Sequence, residues 1–220
     1  MIGGVEPRWA DEPIGYDAEL ALADTRTQGL GIFRVWSRPF LRPISYGDGL
    51  PYRRPPPQGG DEWIERLNGY AQRCEPVGMP GIMATPYPFE FTDVGAAIEL
   101  RGFSNNAPLV RRIEMQSSRQ SGVDVDSGRM GRSIGRWENS NDLVVETSDI
   151  NWPYFDDSNG TVQSADTFVT EYFSLSEDQS RLSYRMVVTD DSLFTEPATV
   201  IEVDWVALEE QLIHPAECSN

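Results

Sequence analysis

The stretch DTFVTEYFSLSEDQSRLSYRMVV, residues 166–188, decides the fold. Successive side chains of a strand point to opposite faces, so alternation sorts them. In RLSYRMVV, Leu182, Tyr184, Met186 and Val188 share one face, and Arg181, Ser183 and Arg185 share the other. In DTFVTEYFSL, Val169, Phe173 and Leu175 share a face with Glu171. The polar turn SEDQS lies between the two runs. Two half-apolar runs joined by such a turn spell a pair of neighbouring strands.

The same period of two extends outward from this pair. PYPFEF, AAIELRGF, LVRRIEMQ, SIGRWE and LVVET precede it, and ATVIEVDWVAL follows it. Turns such as SNNAP and NSND separate several of these runs. Many short strands with turn signals between them argue for an antiparallel sandwich or barrel, and the fold expected here is the antiparallel β-barrel, calycin- or lipocalin-like in shape. Residues 1–30 read as an N-terminal arm with one weak helical segment. Residues 31–220 read as a single barrel domain. It includes an irregular proline-rich connection at 37–60, where prolines fix φ and remove donors. A short amphipathic helix is expected over 61–73, carrying Trp63, Leu67 and Tyr70 on one face. In the last run, Thr199, Ile201, Val203, Trp205 and Ala207 are expected to face inward, with Glu202 and Asp204 in water.

Two strands carry a charge on an apolar face. Glu171 is one case. The other is LVRRIEMQ, where Leu109, Ile113 and Met115 share a face with Arg111. Burying either charge alone costs several kcal/mol, so each needs a partner or a wet cavity. A mutual Arg111–Glu171 pair would only fix the interior. A polar floor in an apolar pocket would instead orient a small ligand. In SIGRWE, Ser133, Gly135 and Trp137 share a face. Gly135 offers space beside Trp137, as a packing notch or as part of a ligand wall.

Composition excludes several chemistries. All 18 basic residues are arginine, against 35 acidic ones, for a net charge of −17. Without lysine there is no Schiff-base residue and no P-loop lysine. The acidic surface disfavours nucleic acid and anionic membranes. No apolar run is long enough to span a membrane as a helix. The single histidine, His214, and two cysteines match no standard zinc spacing. No cofactor and no metal site is expected. DVDSG, with Asp124 and Asp126, has the start of a calcium-loop spacing without its later acidic ligand. DDSNG, residues 156–160, has turn composition.

Cys74 and Cys218 fit a disulfide in an oxidising compartment, the alternative being two unpaired thiols. The loop so closed contributes about 5 kcal/mol in the chain-entropy model. The start MIGGVEPRWADEP has no secretory leader, which suits either a cytoplasmic chain or a mature form with an added Met. The cysteines favour the mature form, periplasmic or extracellular.

CEPVGMPGIMATPYPFEF, VRRIEM, MGRSIGRWENSNDLVVET, VTEYF and the late cysteine together resemble a family of small secreted β-rich bacterial proteins. Their pattern runs Pro-Phe-Glu, then Gly-His-Ser-Ile-Gly-Arg-Trp-Glu-Gly-Asp-Thr-Leu-Val-Val-Asp-Thr, then Glu-Arg-Phe. The resemblance covers roughly residues 30–218. It implies an exported, disulfide-bonded, barrel-like domain and no particular reaction. Both of the family's histidines are replaced here. Arg132 stands before Ser-Ile-Gly, and Gln163 stands where Pro-His-Ser usually occurs. The family's Gly-Asp-Thr turn becomes Asn139, Ser140, Asn141, Asp142.

Three functions follow as expectations. The first is binding of a small, mostly apolar or aromatic molecule, with Arg111 and Glu171 as polar anchors. Trp137, Arg132, Ser133, Met115 and Phe173 would line that site. The second is a cofactor-free lyase, isomerase or hydratase. Glu171 would be its acid/base, Arg111 its electrostatic stabiliser and Tyr184 its assistant. Asp166 is a weaker acid/base candidate. The third is a protein-interaction module using the proline-rich segment.

Overall fold

In the computed structural model, residues 31–37, 49–55, 61–85, 87–104, 107–116, 128–156 and 160–208 are described. Among the described residues, nine strands close into one barrel in chain order. They are β1 (Val35–Ser37), β2 (Phe89–Asp93), β3 (Ala97–Ser104), β4 (Ala107–Met115), β5 (Arg132–Trp137), β6 (Asp142–Ser148), β7 (Phe168–Leu175), β8 (Arg181–Thr189) and β9 (Ala198–Leu208). One helix, α1 (Asp61–Gln72), precedes β2. The expected barrel is therefore present. β1 closes it by pairing antiparallel with both β2 and β9.

One pairing departs from the antiparallel expectation. β4 and β5 run parallel, with Ile113 opposite Ser133 and Met115 opposite Gly135. Parallel neighbours cannot be joined by a tight hairpin, which fits the long stretch of chain between them. The weak helix of the N-terminal arm, Asp124, Asp126, His214 and Cys218 lie outside the described residues, as do most of the proline-rich connection and the side chains of Trp63 and Leu67. Cys74, just past α1, carries no free thiol.

The interior is filled by apolar side chains from every strand but β5, which turns Ser133 and Gly135 inward. Phe91, Leu100, Leu109, Ile113, Leu143, Val145, Val169, Phe173, Leu182, Met186 and Trp205 are all buried in one apolar cluster. An aromatic group occupies part of it: Tyr184 stacks on Phe173 at 4.8 Å, and Trp205 lies 4.8 Å from Tyr184 and 5.6 Å from Phe89 between ring centroids. The notch expected at Gly135 is occupied. A Cβ there would sit 2.8 Å from Ile113 Cγ2 and 3.0 Å from Met115 Sδ, so only glycine lets those chains in.

The inward faces of β4, β7 and β8 match the alternation. That of β9 does not match throughout. Its register shifts between Met186 and Val187, so Ile201 pairs with Met186 while Thr199 pairs with Val187. The extra residue, Val200, makes a bulge and reverses the face beyond it. Thr199, expected inside, is exposed, and Ala198 and Val200 are buried instead.

One end of the barrel, marked by Ser104, Ser133, Thr147 and Val188, is crossed by residues 76–85. The Val77 N–H donates to Ser104 Oγ, and the Met79 N–H donates to the Arg129 carbonyl. A 3-10 turn, Gly81–Ala84, then carries Ile82 and Met83 into the core, where both are fully buried. Gln163 Nε2 donates to the carbonyls of Met79 and Trp152, each at 2.8 Å, and ties this cover to the loop segments 150–156 and 160–167.

Asp190 anchors the same loops. Its Oδ2 accepts from Ser164 N–H and Thr167 Oγ1, and its Oδ1 from Ser192 N–H, Ser192 Oγ and Leu193 N–H. Burial works to raise its pKa, but these hydrogen bonds, led by Ser164 N–H, outweigh it and bring the carboxyl down to about 2. A carboxylate depressed in the folded state stabilises above its unfolded pKa, near 4, and that stability is lost as pH falls toward 2. Acid unfolding should therefore include a contribution of about 2 kcal/mol from this group across that window. Denaturant titrations of Asp190→Ala at pH 5 and pH 2 should lack it.

Candidate functional site

The site begins with two charges that the strand period points inward. Arg111 on β4 and Glu171 on β7 are 1% and 0% exposed, and they meet across the barrel. Arg111 Nη1 donates to Glu171 Oε1 at 3.0 Å, and Nη2 donates to Oε2. This is a bidentate pair, the geometry that fixes a carboxylate in both position and plane.

Three hydroxyls complete the polar layer. Arg111 Nε and Nη2 donate to Ser133 Oγ at 3.2 and 3.1 Å, and Nη2 also donates to Thr147 Oγ1 at 2.9 Å. Ser133 and Thr147 share a hydrogen bond of 3.0 Å, as their opposed positions on β5 and β6 require. The Tyr184 hydroxyl donates to Glu171 Oε1 at 2.8 Å. Burial alone would lower the pKa of Arg111; the adjacent Glu171 carboxylate outweighs it and raises it. The guanidinium thus stays charged, and the pair is neutral as a whole.

A guanidinium has five N–H groups to place. Four find oxygen on barrel strands. The remaining one, on Nη1, faces Met83 Sδ at 3.5 Å. A thioether is a weak acceptor. It is also the one acceptor of this set that comes from the cover and not from a strand.

Of the residues marked by sequence, Arg111, Glu171, Tyr184 and Ser133 are brought together, with Phe173 stacked behind Tyr184. Met115 is buried beyond the layer, across Gly135. Trp137 and Arg132 stand apart. Trp137 is 39% exposed at the end of β5, edge-on to Phe33 at 6.4 Å between centroids. Arg132 is exposed at the start of the same strand. The two positions where the resembled family has histidine therefore do not meet at the polar layer: Arg132 lies outside, and Gln163 holds the cover. Thr147 and Met83 also touch Arg111 and are not among the residues that the sequence marks. Alternation in LVVET, which places Thr147 with Leu143 and Val145, carries the signal for the first. No periodicity marks Met83, because its segment is not a strand.

A separate cleft of about 330 Å³ lies on α1, lined by Glu65, Arg66, Gly69, Tyr70 and Arg73. Its arginines are engaged locally: Arg66 donates to the Tyr154 hydroxyl at 2.7 Å, and Arg73 to Glu75 at 2.9 Å. Among the described residues, no group of three or more His, Cys, Asp and Glu is placed to hold a metal ion. No described helix is long and apolar enough to cross a membrane.

Compared with known proteins, the chain matches no family model and no curated protein sequence.

Proposed function

We propose that the barrel binds a small, mostly apolar or aromatic molecule at the Arg111–Glu171 layer, in the place that Met83 of the 76–85 cover fills in its absence. One observation carries this reading. A charge pair with three hydroxyls is buried in an otherwise apolar barrel, and the side chain lying on it comes from a short cover and not from the sheet. A buried ion pair is weak evidence for stability, since apolar residues of similar volume often serve as well. Orienting a ligand gives such a layer a use. Phe173, Tyr184 and Trp205 supply the aromatic wall that an apolar ligand needs.

The enzymatic reading rests on the Tyr184–Glu171 hydrogen bond, which is a ready path for a proton. Both Glu171 oxygens are already taken up by Arg111, and Oε1 also by Tyr184, so binding is the better-supported function. Glu171→Gln separates the two. A binder keeps its affinity for a neutral ligand within a few-fold, whereas an acid/base catalyst loses turnover by roughly 10² or more. Tyr184→Phe removes only the hydroxyl, costs about 1 kcal/mol of stability, and gives the same discrimination if the first variant folds poorly.

The order of sequence motifs supports placing the chain among the small secreted β-rich proteins that it resembles. With it come a Cys74–Cys218 disulfide and a periplasmic or extracellular site of action. Mass spectrometry of the non-reduced, digested protein tests the pairing: a Cys74–Cys218 cross-linked peptide is expected, and an alkylated Cys218 would contradict it.

A further inference from the structure

We infer that the ligand of this site is electrically neutral and carries an oxygen acceptor, a carbonyl or an ether, whose place at Arg111 Nη1–H is held by the Met83 sulfur. This rests on the reading of the barrel interior as a binding site and specifies what that site takes.

Charge comes first. Arg111 and Glu171 cancel, and neither is exposed to water. An anionic ligand would bring a second negative charge beside Glu171, and a cationic one a second positive charge beside Arg111. In a dry interior either costs more than the ligand gains from the opposite member of the pair. Donor arithmetic comes second. Every N–H of Arg111 faces a strand oxygen except the one on Nη1 that faces Met83 Sδ. Displacing a thioether by a carbonyl oxygen replaces a weak acceptor with a strong one at no cost to the rest of the layer. Replacing it with a methyl or ring carbon strands a buried charged donor.

A second, independent donor lies on the same wall. Trp205 is 1% exposed, and among the described residues its indole N–H has no acceptor. Its ring is 4.8 Å from that of Tyr184, the residue bonded to Glu171. Tryptophan N–H groups normally find an acceptor when buried. Two under-served donors beside one aromatic wall describe a site short of acceptors. Met83, as the residue that competes with the ligand for the first donor, sets specificity for that oxygen.

The test is calorimetric titration of the full chain with three molecules of similar size: acetophenone, ethylbenzene and benzoate. Acetophenone should bind about tenfold more tightly than ethylbenzene, and benzoate should not bind measurably. Met83→Leu keeps the bulk of the cover and removes its acceptor. It should tighten acetophenone roughly fivefold and leave ethylbenzene within twofold. Met83→Ala should tighten both, and acetophenone more. If ethylbenzene equals acetophenone, or benzoate binds best, or Met83→Leu changes neither, the inference is overturned while binding in the barrel stands. If none of the three binds the natural chain or either variant, the binding reading falls and the inference falls with it.

Discussion

Arg111→Met is expected to destabilise the protein by about 3–5 kcal/mol, because it leaves the Glu171 carboxylate buried without its partner. Glu171 would keep one hydrogen bond from the Tyr184 hydroxyl and lose both guanidinium contacts. Against a typical total of roughly 5–15 kcal/mol, that is a large fraction of the stability of the fold. A urea titration read by circular dichroism measures it directly. The double variant Arg111→Met/Glu171→Leu should recover most of the loss, since it removes both charges and restores apolar volume. A single variant that costs under 1 kcal/mol would mean that water reaches the pair, contrary to the 1% and 0% exposure of its members.

Gly78→Ala is expected to loosen the cover. A Cβ at position 78 would lie 2.6 Å from the Arg129 carbonyl oxygen and 2.6 Å from Trp152 Cβ, and closer still to Trp152 Cγ. Two of these atoms belong to the Trp152 side chain, whose ring packs against Tyr70 and Tyr154, and one is backbone. None is the free end of a flexible side chain, so the 76–85 segment itself must move. Overpacking of this kind costs about 1–3 kcal/mol. The position also tests the cover separately from the polar layer, which Gly78 does not touch. Amide hydrogen exchange should speed up at Val77, Met79, Ile82 and Met83, whose N–H groups hold the segment in place. The amides of β7 and β8 should exchange as before. Uniform acceleration in both regions would show that the cover is one cooperative piece with the barrel and does not open alone.

How much of this was legible in the sequence depends on where backbone period reigns. On β4, β7 and β8 the alternation is unbroken, so Arg111, Glu171 and Tyr184 could be set on the inward face from residue order alone. Their pairing needed only the rule that buried charges seek partners. On β9 the period breaks at Val200, and a bulge leaves no mark in a run of apolar residues. Unbroken alternation puts Thr199 inside for that reason. The parallel β4–β5 neighbours were hidden too, because strand order depends on where a long connection returns, and composition does not encode that. Alternation sets Trp137 on the face of Ser133 and Gly135, but it sits at the end of its strand, where facing inward no longer means being enclosed. Met83 lies in PVGMPGIMATP, where prolines and glycines erase any period. Its role depends on the path of an irregular segment over the barrel mouth, and that is visible only in three dimensions.

The most direct test of a ligand site inside the barrel uses methionine methyl groups as reporters. The chain has six methionines. Met79, Met83, Met115 and Met186 are buried in the core, while Met130 is only partly buried and packs at its margin. Carbon-13 methyl-methionine spectra would be recorded while neutral aromatic ketones and ethers are added. The expected result is a saturable shift of Met83, which faces Arg111 from the cover, and of Met186, directly opposite Glu171 on β8. Met130 should stay still. Movement of Met130 alone, or of no core methyl at saturating ligand, would contradict a binding site at the Arg111–Glu171 layer and leave that layer as structure only.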